Sequence, residues 1–205
     1  MDFLLKAGRK PARVGILAGS FNPVTRAHMA LARSALAVVD EVALVMPRRF
    51  PHKDYDGVPL AERIELVRRA ASVEEGLSVA ITDGGLFLEI AREARPVYPG
   101  AELWFLCGRD AAERIVGWNY RGTAPIEQQL AEYGLLVADR QGSYQAPEHL
   151  RERVCRLPLE PVWDDVSATE VRRRIAAGEP WQHLVPESVV AEVARLYGGQ
   201  RSRAR

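Results

Sequence analysis

The sequence predicts an α/β fold: a doubly wound parallel sheet with a helical segment at its C-terminal end. Three observations lead there. Short apolar runs of strand length alternate along the chain with stretches of helical period. The loops that carry the most glycine and polar side chains follow strands. The 205 residues, 47% hydrophobic and 27% charged, suit one α/β domain with ample buried core. Strands alternating with helices pair in parallel through right-handed crossovers. In such sheets ligands bind beyond the carboxyl ends of the strands, where the winding reverses.

Residues 14–17, Val-Gly-Ile-Leu, form an apolar run that ends in the turn Ala18-Gly19-Ser20-Phe21-Asn22-Pro23. That reads as a buried strand and its loop. A helix is expected over 25–37, with Ala27, Leu31 and Ala35, then Val38, at helical spacing. Residues 42–46 are the next strand, closed by Pro47. Over 60–71 the period is helical again, with Ile64 and Val67 inward and Arg63, Arg68 and Arg69 outward. Strands over 77–81 and 103–107 bracket a helix over 86–95. Two shorter helices follow at 111–115 and 126–132, then a strand at 135–138 and a fainter one at 154–157. The polar stretch 141–152 between them, with Gly142 and Pro147, reads as an exposed loop. Helices over 168–177 and 188–197 close the fold, and 198–205 is a basic tail. Residues 1–205 are thus expected to form a single domain with its core over 14–197.

The bulk properties exclude several classes. A formal net charge of +1 provides no global basic field, so nucleic acid is not the expected partner. Cys107 and Cys155 lie far apart and read as buried or incidental thiols, not as a zinc or disulfide framework. No apolar run approaches the roughly 20 residues that span a bilayer. The opening Met1-Asp2-Phe3-Leu4-Leu5-Lys6 is too short and too broken for a secretory signal, so cytoplasm is the expected compartment. His149 and His183 fit no motif and read as structural or surface residues.

The loop after the first strand is the most informative segment. Gly19 permits close backbone approach to a ligand, and the following helix N-terminus offers free N–H groups and a positive dipole end. Thr25 and His28, three apart, face the same way in a first helical turn. Spacing alone leaves two readings open: a helix capped by Thr25 with His28 on its surface, or a phosphate site. Further on, Lys53 follows the second strand in Pro51-His52-Lys53, where a point charge could reach phosphate oxygens. Ser167 and Glu170 fit a capping box, and Thr169 and Arg172 share a face one turn apart. Hydroxyl, amide and guanidinium could converge on one anion there, although a well-capped amphipathic helix needs no ligand.

The string Gly19-Ser20-Phe21-Asn22-Pro23-Val24-Thr25-Arg26-Ala27-His28 resembles the signature of the nucleotidyltransferase superfamily. Its Gly-Ser-Phe-Asn-Pro-x-Thr-x-x-His form looks like the nicotinamide and nicotinate mononucleotide adenylyltransferases. Thr25 and Ala27 stand where the bacterial nicotinate enzymes usually carry histidine and glycine. Pro51-His52-Lys53 and Asp165-Val166-Ser167-Ala168-Thr169-Glu170-Val171-Arg172 are similar to two further motifs of that family, with Ala168 replacing a serine. Gly108-Arg109-Asp110 followed by Trp118, and Arg140-Gln141-Gly142, match weaker marks. The family's Tyr-Thr-x-x-Thr-Leu segment has no counterpart over 82–89.

This resemblance implies a Rossmann-like fold and an enzyme that joins a pyridine mononucleotide to ATP with release of pyrophosphate. It implies His28, Lys53 and Arg172 as the catalytic set. ATP would be held by the backbone and side chains of Gly19, Ser20, Phe21 and Thr25, by Gly108 and Asp110, and by Ser167 and Thr169. The acceptor would meet Asn22, Lys53, Trp118 and Arg140. Mg²⁺ would ride on the substrate's phosphates, since the sequence shows no carboxylate cluster for a protein metal cage. Homo-oligomers stay open, as do a phosphopantetheine adenylyltransferase, a cytidylyltransferase and a nucleotide-binding protein without turnover. Gly15-x-x-x-Gly19 lacks the Gly-x-Gly-x-x-Gly of a dinucleotide dehydrogenase.

Overall fold

Seven consecutive residues, Glu41–Pro47, are all buried, as a parallel strand covered on both faces must be. In the computed structural model, which describes residues 1–8, 10–49, 57–120, 124–139 and 142–199, this is strand β3. The others are β1 (Asp2–Leu5), β2 (Arg13–Ala18), β4 (Leu77–Thr82), β5 (Glu102–Gly108), β6 (Gly134–Ala138) and β7 (Val154–Leu157). They form one sheet in the order β1-β4-β3-β2-β5-β6-β7. β2 pairs in parallel with β3 on one side and β5 on the other. The winding reverses between β2 and β5, and this is the crevice where such sheets bind ligands.

The helices are α1 (Arg26–Ala35), α2 (Leu60–Ala71), α3 (Phe87–Ala94), α4 (Arg109–Gly117), α5 (Ile126–Glu132), α6 (Ala168–Ala177) and α7 (Val190–Gly198). Side chains alternate along each strand, so one sheet feeds two cores. Val42, Leu44 and Met46 of β3 meet Met29, Leu66, Val171 and Val193 from α1, α2, α6 and α7. Ala43 and Val45 face the other way, toward Ile90, Ala112 and Leu130 of α3, α4 and α5. On that second face Phe87 stacks on Phe105 at 4.2 Å, and Tyr133 meets Phe105 edge-on at 5.0 Å.

Three expectations are corrected. β1, unforeseen, adds an antiparallel edge to the otherwise parallel sheet by pairing with β4. Its four residues carry little pattern, and tertiary contacts hold the segment. Lys6 Nζ reaches the buried Glu41 Oε1 at 2.8 Å and lies 3.7 Å from the centre of the Tyr98 ring. Arg63 does not face outward but is only 4% exposed. The stretch 142–152 is not wholly exposed, since Leu150 is buried and Tyr144 and Ala146 pack against the second core.

Close packing between neighbouring strands yields one stability prediction. A Cβ at Gly134 would lie 2.4 Å from both Cε3 and Cζ3 of Trp104, itself 9% exposed. Gly134→Ala is therefore expected to lower unfolding free energy by about 1–3 kcal/mol through overpacking, read as a shift in urea midpoint. An unchanged midpoint would mean the indole has room to move.

Candidate active site

The site begins where β2 ends. Gly19 N–H donates to Val45 O at 3.0 Å, carrying the pairing one residue past the strand. A Cβ on Gly19 would sit 3.3 Å from Phe21 Cζ, so the glycine makes room for a ring of its own loop. Phe21 is 1% exposed and adopts φ 41, a left-handed conformation that costs a non-glycine residue roughly 1–2 kcal/mol. Surrounding contacts must hold it there. Arg63 of α2 donates from Nη1 to Ser20 O at 2.7 Å and from Nε to Val58 O at 3.0 Å. Arg172 of α6 donates from Nη1 to Asn22 O. The Tyr197 hydroxyl, from α7, donates to Asn22 Oδ1 at 2.7 Å.

The loop runs directly into α1. Thr25, fully buried, is the N-cap, and His28 stands at the third helical position. The His28 Nδ1 accepts the Thr25 backbone N–H at 3.0 Å and lies 2.8 Å from Thr25 Oγ1. The histidine thus fills the place of the Glu or Gln in a capping box. An Nδ1 that accepts a backbone proton puts the ring hydrogen on Nε2, which makes that atom a donor. Phe21 braces the imidazole edge-on, with ring centroids 5.1 Å apart. No acidic residue occupies the first turn of α1, so the positive end of its dipole is not offset locally.

At the start of α6, Ser167 Oγ accepts the Glu170 N–H at 3.1 Å. The expected capping box is only half made. The Glu170 carboxylate turns away to Arg173 and Arg174, whose hydrogen bonds hold its pKa down at about 2. Arg172 Nη2 meets Thr169 Oγ1 at 3.3 Å, which places hydroxyl and guanidinium side by side as the spacing anticipated. The Asn22–Arg172 bond spans 150 residues. It ties α6 to the loop that leads into α1.

The remaining residues named from sequence are placed less tightly. Gly108 is the N-cap of α4, and a Cβ there would meet nothing within 4 Å among the described residues. Asp110 is 73% exposed and 3.6 Å from Arg109 Nη2. Trp118, at the end of α4, is 67% exposed and not a core aromatic. Lys53, with His52, and Arg140 lie outside the described residues. After β4, Glu93 accepts the N–H groups of Asp83 and Gly84, and Glu89 accepts those of Gly85 and Leu86. A cavity of about 590 Å³ between α1 and α2, bordered by Trp163, contains none of these site residues.

Residues 16–174 match the family model described as cytidylyltransferase-like. A protein of Gloeobacter violaceus named as a probable nicotinate-nucleotide adenylyltransferase is 33% identical over 196 residues. That match covers 88% of this chain and 93% of the relative. This chain belongs to the cytidylyltransferase-like family, in its nicotinate-nucleotide adenylyltransferase branch. A Thermus thermophilus relative of the same name is 29% identical over 86% of the chain and 94% of its own length. The nicotinic acid mononucleotide adenylyltransferase of Plasmodium falciparum, solved in complex with NaAD, shares the fold at a TM-score of 0.64. That likeness comes at 16% identity and covers 90% of this chain and 98% of the other.

Two residues of this adenylyltransferase-branch chain escaped the sequence reading. Arg63 carried a signal: Leu60, Arg63, Ile64 and Val67 are spaced i, i+3, i+4 and i+7, so the arginine stands on the apolar stripe. Tyr197 carried none beyond its place in an amphipathic helix. Removing Arg63 leaves two carbonyls short of a donor, at roughly 1–3 kcal/mol each where burial keeps water out. Arg63→Met should therefore lower stability by about 2–6 kcal/mol, measured by chemical denaturation. A loss below about 1 kcal/mol would show that the two carbonyls find other donors.

Proposed function

We propose that this chain transfers the adenylyl group of ATP to the 5′-phosphate of a pyridine mononucleotide, with nicotinate mononucleotide the favoured acceptor, in NAD biosynthesis. The observation that carries this reading is the junction of Asn22, Arg172 and Thr169 beside the Thr25–His28 turn. The reading takes two helix N-termini, an imidazole N–H and a guanidinium to act together there, a donor set suited to phosphate oxygens. In the transfer, an oxygen of the acceptor's 5′-phosphate bonds to the α-phosphorus. The bond from that phosphorus to the bridging oxygen breaks, and pyrophosphate leaves with the electron pair. A phosphate monoester, with a second pKa of about 6, is already largely dianionic at neutral pH. No general base is required, so the work is alignment and charge offset.

His28 Nε2–H is assigned to an oxygen of the transferred phosphoryl group. Arg172 and Thr169, with Ser167 at the head of α6, are assigned to the outer phosphates. Gly19, Ser20, Phe21 and Thr25 shape the cradle, and Gly108 and Asp110, just beyond β5, are assigned to the nucleoside. Asn22 and Trp118 are assigned to the acceptor. Lys53 and Arg140 keep the phosphate-facing and acceptor-facing roles that the motifs imply. Among the described residues no group of three or more acidic, histidine or cysteine side chains stands together to cage a cation. Mg²⁺ is accordingly assigned to the triphosphate oxygens, where it would offset their charge.

The test is direct. Purified protein with ATP, Mg²⁺ and either nicotinate or nicotinamide mononucleotide should yield the dinucleotide and pyrophosphate, read by mass spectrometry. ATP left intact with both acceptors would overturn the reading.

A further inference from the structure

Of the donors gripping the β2–α1 loop, Tyr197 holds a side chain where Arg63 and Arg172 hold the backbone. Tyr197 is 3% exposed and donates to Asn22 Oδ1 across 175 residues of chain. Burial raises the Tyr197 phenol above its ordinary value, while Arg63 and Arg172 nearby lower it in part. The hydroxyl therefore keeps its proton and acts as a donor. Asn22 is 9% exposed. Its Oδ1 is engaged by Tyr197, and no hydrogen bond of its Nδ2 is seen among the described residues.

We propose that Tyr197 is a positioning residue for the transfer: by holding Asn22 Oδ1, it turns the carboxamide N–H groups toward the acceptor's phosphate. The proposal rests on the adenylyl-transfer reading above. A carboxamide carries two donors at one end and a lone-pair oxygen at the other. Its two orientations differ by about 180°, so a flip would replace two donors facing a dianion with a repelling oxygen. A donor fixed to Oδ1 removes that alternative. Backbone oxygens of the same loop are turned away in parallel, Ser20 O by Arg63 and Asn22 O by Arg172. The last helix of the chain thus sets the polarity of the first loop.

The experiment is a double-mutant cycle of Tyr197→Phe and Asn22→Ala, with Asn22→Ser as a second variant should the alanine protein melt early. Tyr197→Phe keeps the buried ring and loses one hydroxyl. It should lower kcat/KM for the mononucleotide by about 5–20-fold, the scale of one oriented hydrogen bond, with KM for ATP within about twofold of wild type. In the Asn22 background the same change should cost less than about twofold, because nothing remains to orient. Side-chain exchange is the further readout: Tyr197→Phe should also speed solvent exchange of the Asn22 side-chain amide, seen by ¹⁵N NMR. Multiplying losses in the double variant, or unchanged kinetics in Tyr197→Phe, overturn the role of Tyr197 while leaving the function intact. Absence of dinucleotide from the wild-type protein overturns both.

Discussion

His28→Ala should lower kcat by about 10²–10³-fold, the usual cost of one preorganised donor to developing negative charge, while the KM values move little. The geometry explains why the loss should fall on kcat. His28 Nδ1 is already engaged by the Thr25 N–H at 3.0 Å, and the Phe21 ring braces the imidazole at 5.1 Å. The Nε2–H is therefore held in place before substrate arrives, and no reorganisation is needed during transfer. That donor matters most as the α-phosphoryl group passes between two oxygens, and less when ATP is merely bound. The alanine variant also leaves the Thr25 N–H without its ring acceptor, so a melting curve must accompany the assay. Loss of a cap costs about 1 kcal/mol, which a folded core of this size tolerates. Near-normal kcat in a folded variant would remove His28 from the reaction.

Thr25 bears on the same point. It stands where the resembling enzymes usually carry a first histidine, and it cannot supply positive charge. It is fully buried and caps α1, so its contribution here is to fix the second histidine's tautomer. The capped-helix reading holds, with Thr25 as the N-cap; the phosphate site is the proposal, and in it the cap prepares the donor.

Much of the fold was legible because its boundaries carry local chemistry. Pro59 and Pro125 stand immediately before α2 and α5. Ser167 opens α6, and Gly178, at φ 74, closes it in the left-handed conformation glycine favours. β1 was not legible, since its partners in β4 lie more than seventy positions away (Phe3↔Ala80) and its own pattern is four residues long. Arg63 was misread because a polar residue on a stripe looks like a surface residue until its carbonyl partners are known. The family motifs could be recognised as strings. What no string conveys is that Asn22 is held at once by Arg172 and Tyr197, because those contacts exist only after the chain has closed on itself.

That closure makes Arg172 the second sensitive position. Its guanidinium spends donors on Asn22 O and Thr169 Oγ1, and a guanidinium has five N–H groups in all. The rest can face phosphate, so one side chain both ties α6 to the first loop and offers charge at their junction. Arg172→Ala should raise KM for ATP and lower kcat/KM by roughly 30–1000-fold, the equivalent of about 2–4 kcal/mol for a lost charge-assisted contact. Arg172→Lys is the informative companion. Lysine keeps the charge but lacks the planar fork, so it can serve the loop carbonyl or the phosphates but not both. It should recover part of the ATP affinity while kcat stays depressed, because an untied Asn22 loop no longer presents its donors in register. Full recovery by lysine would reduce the residue to a point charge, and an unchanged KM for ATP in a folded Arg172→Ala protein would remove it from the triphosphate site.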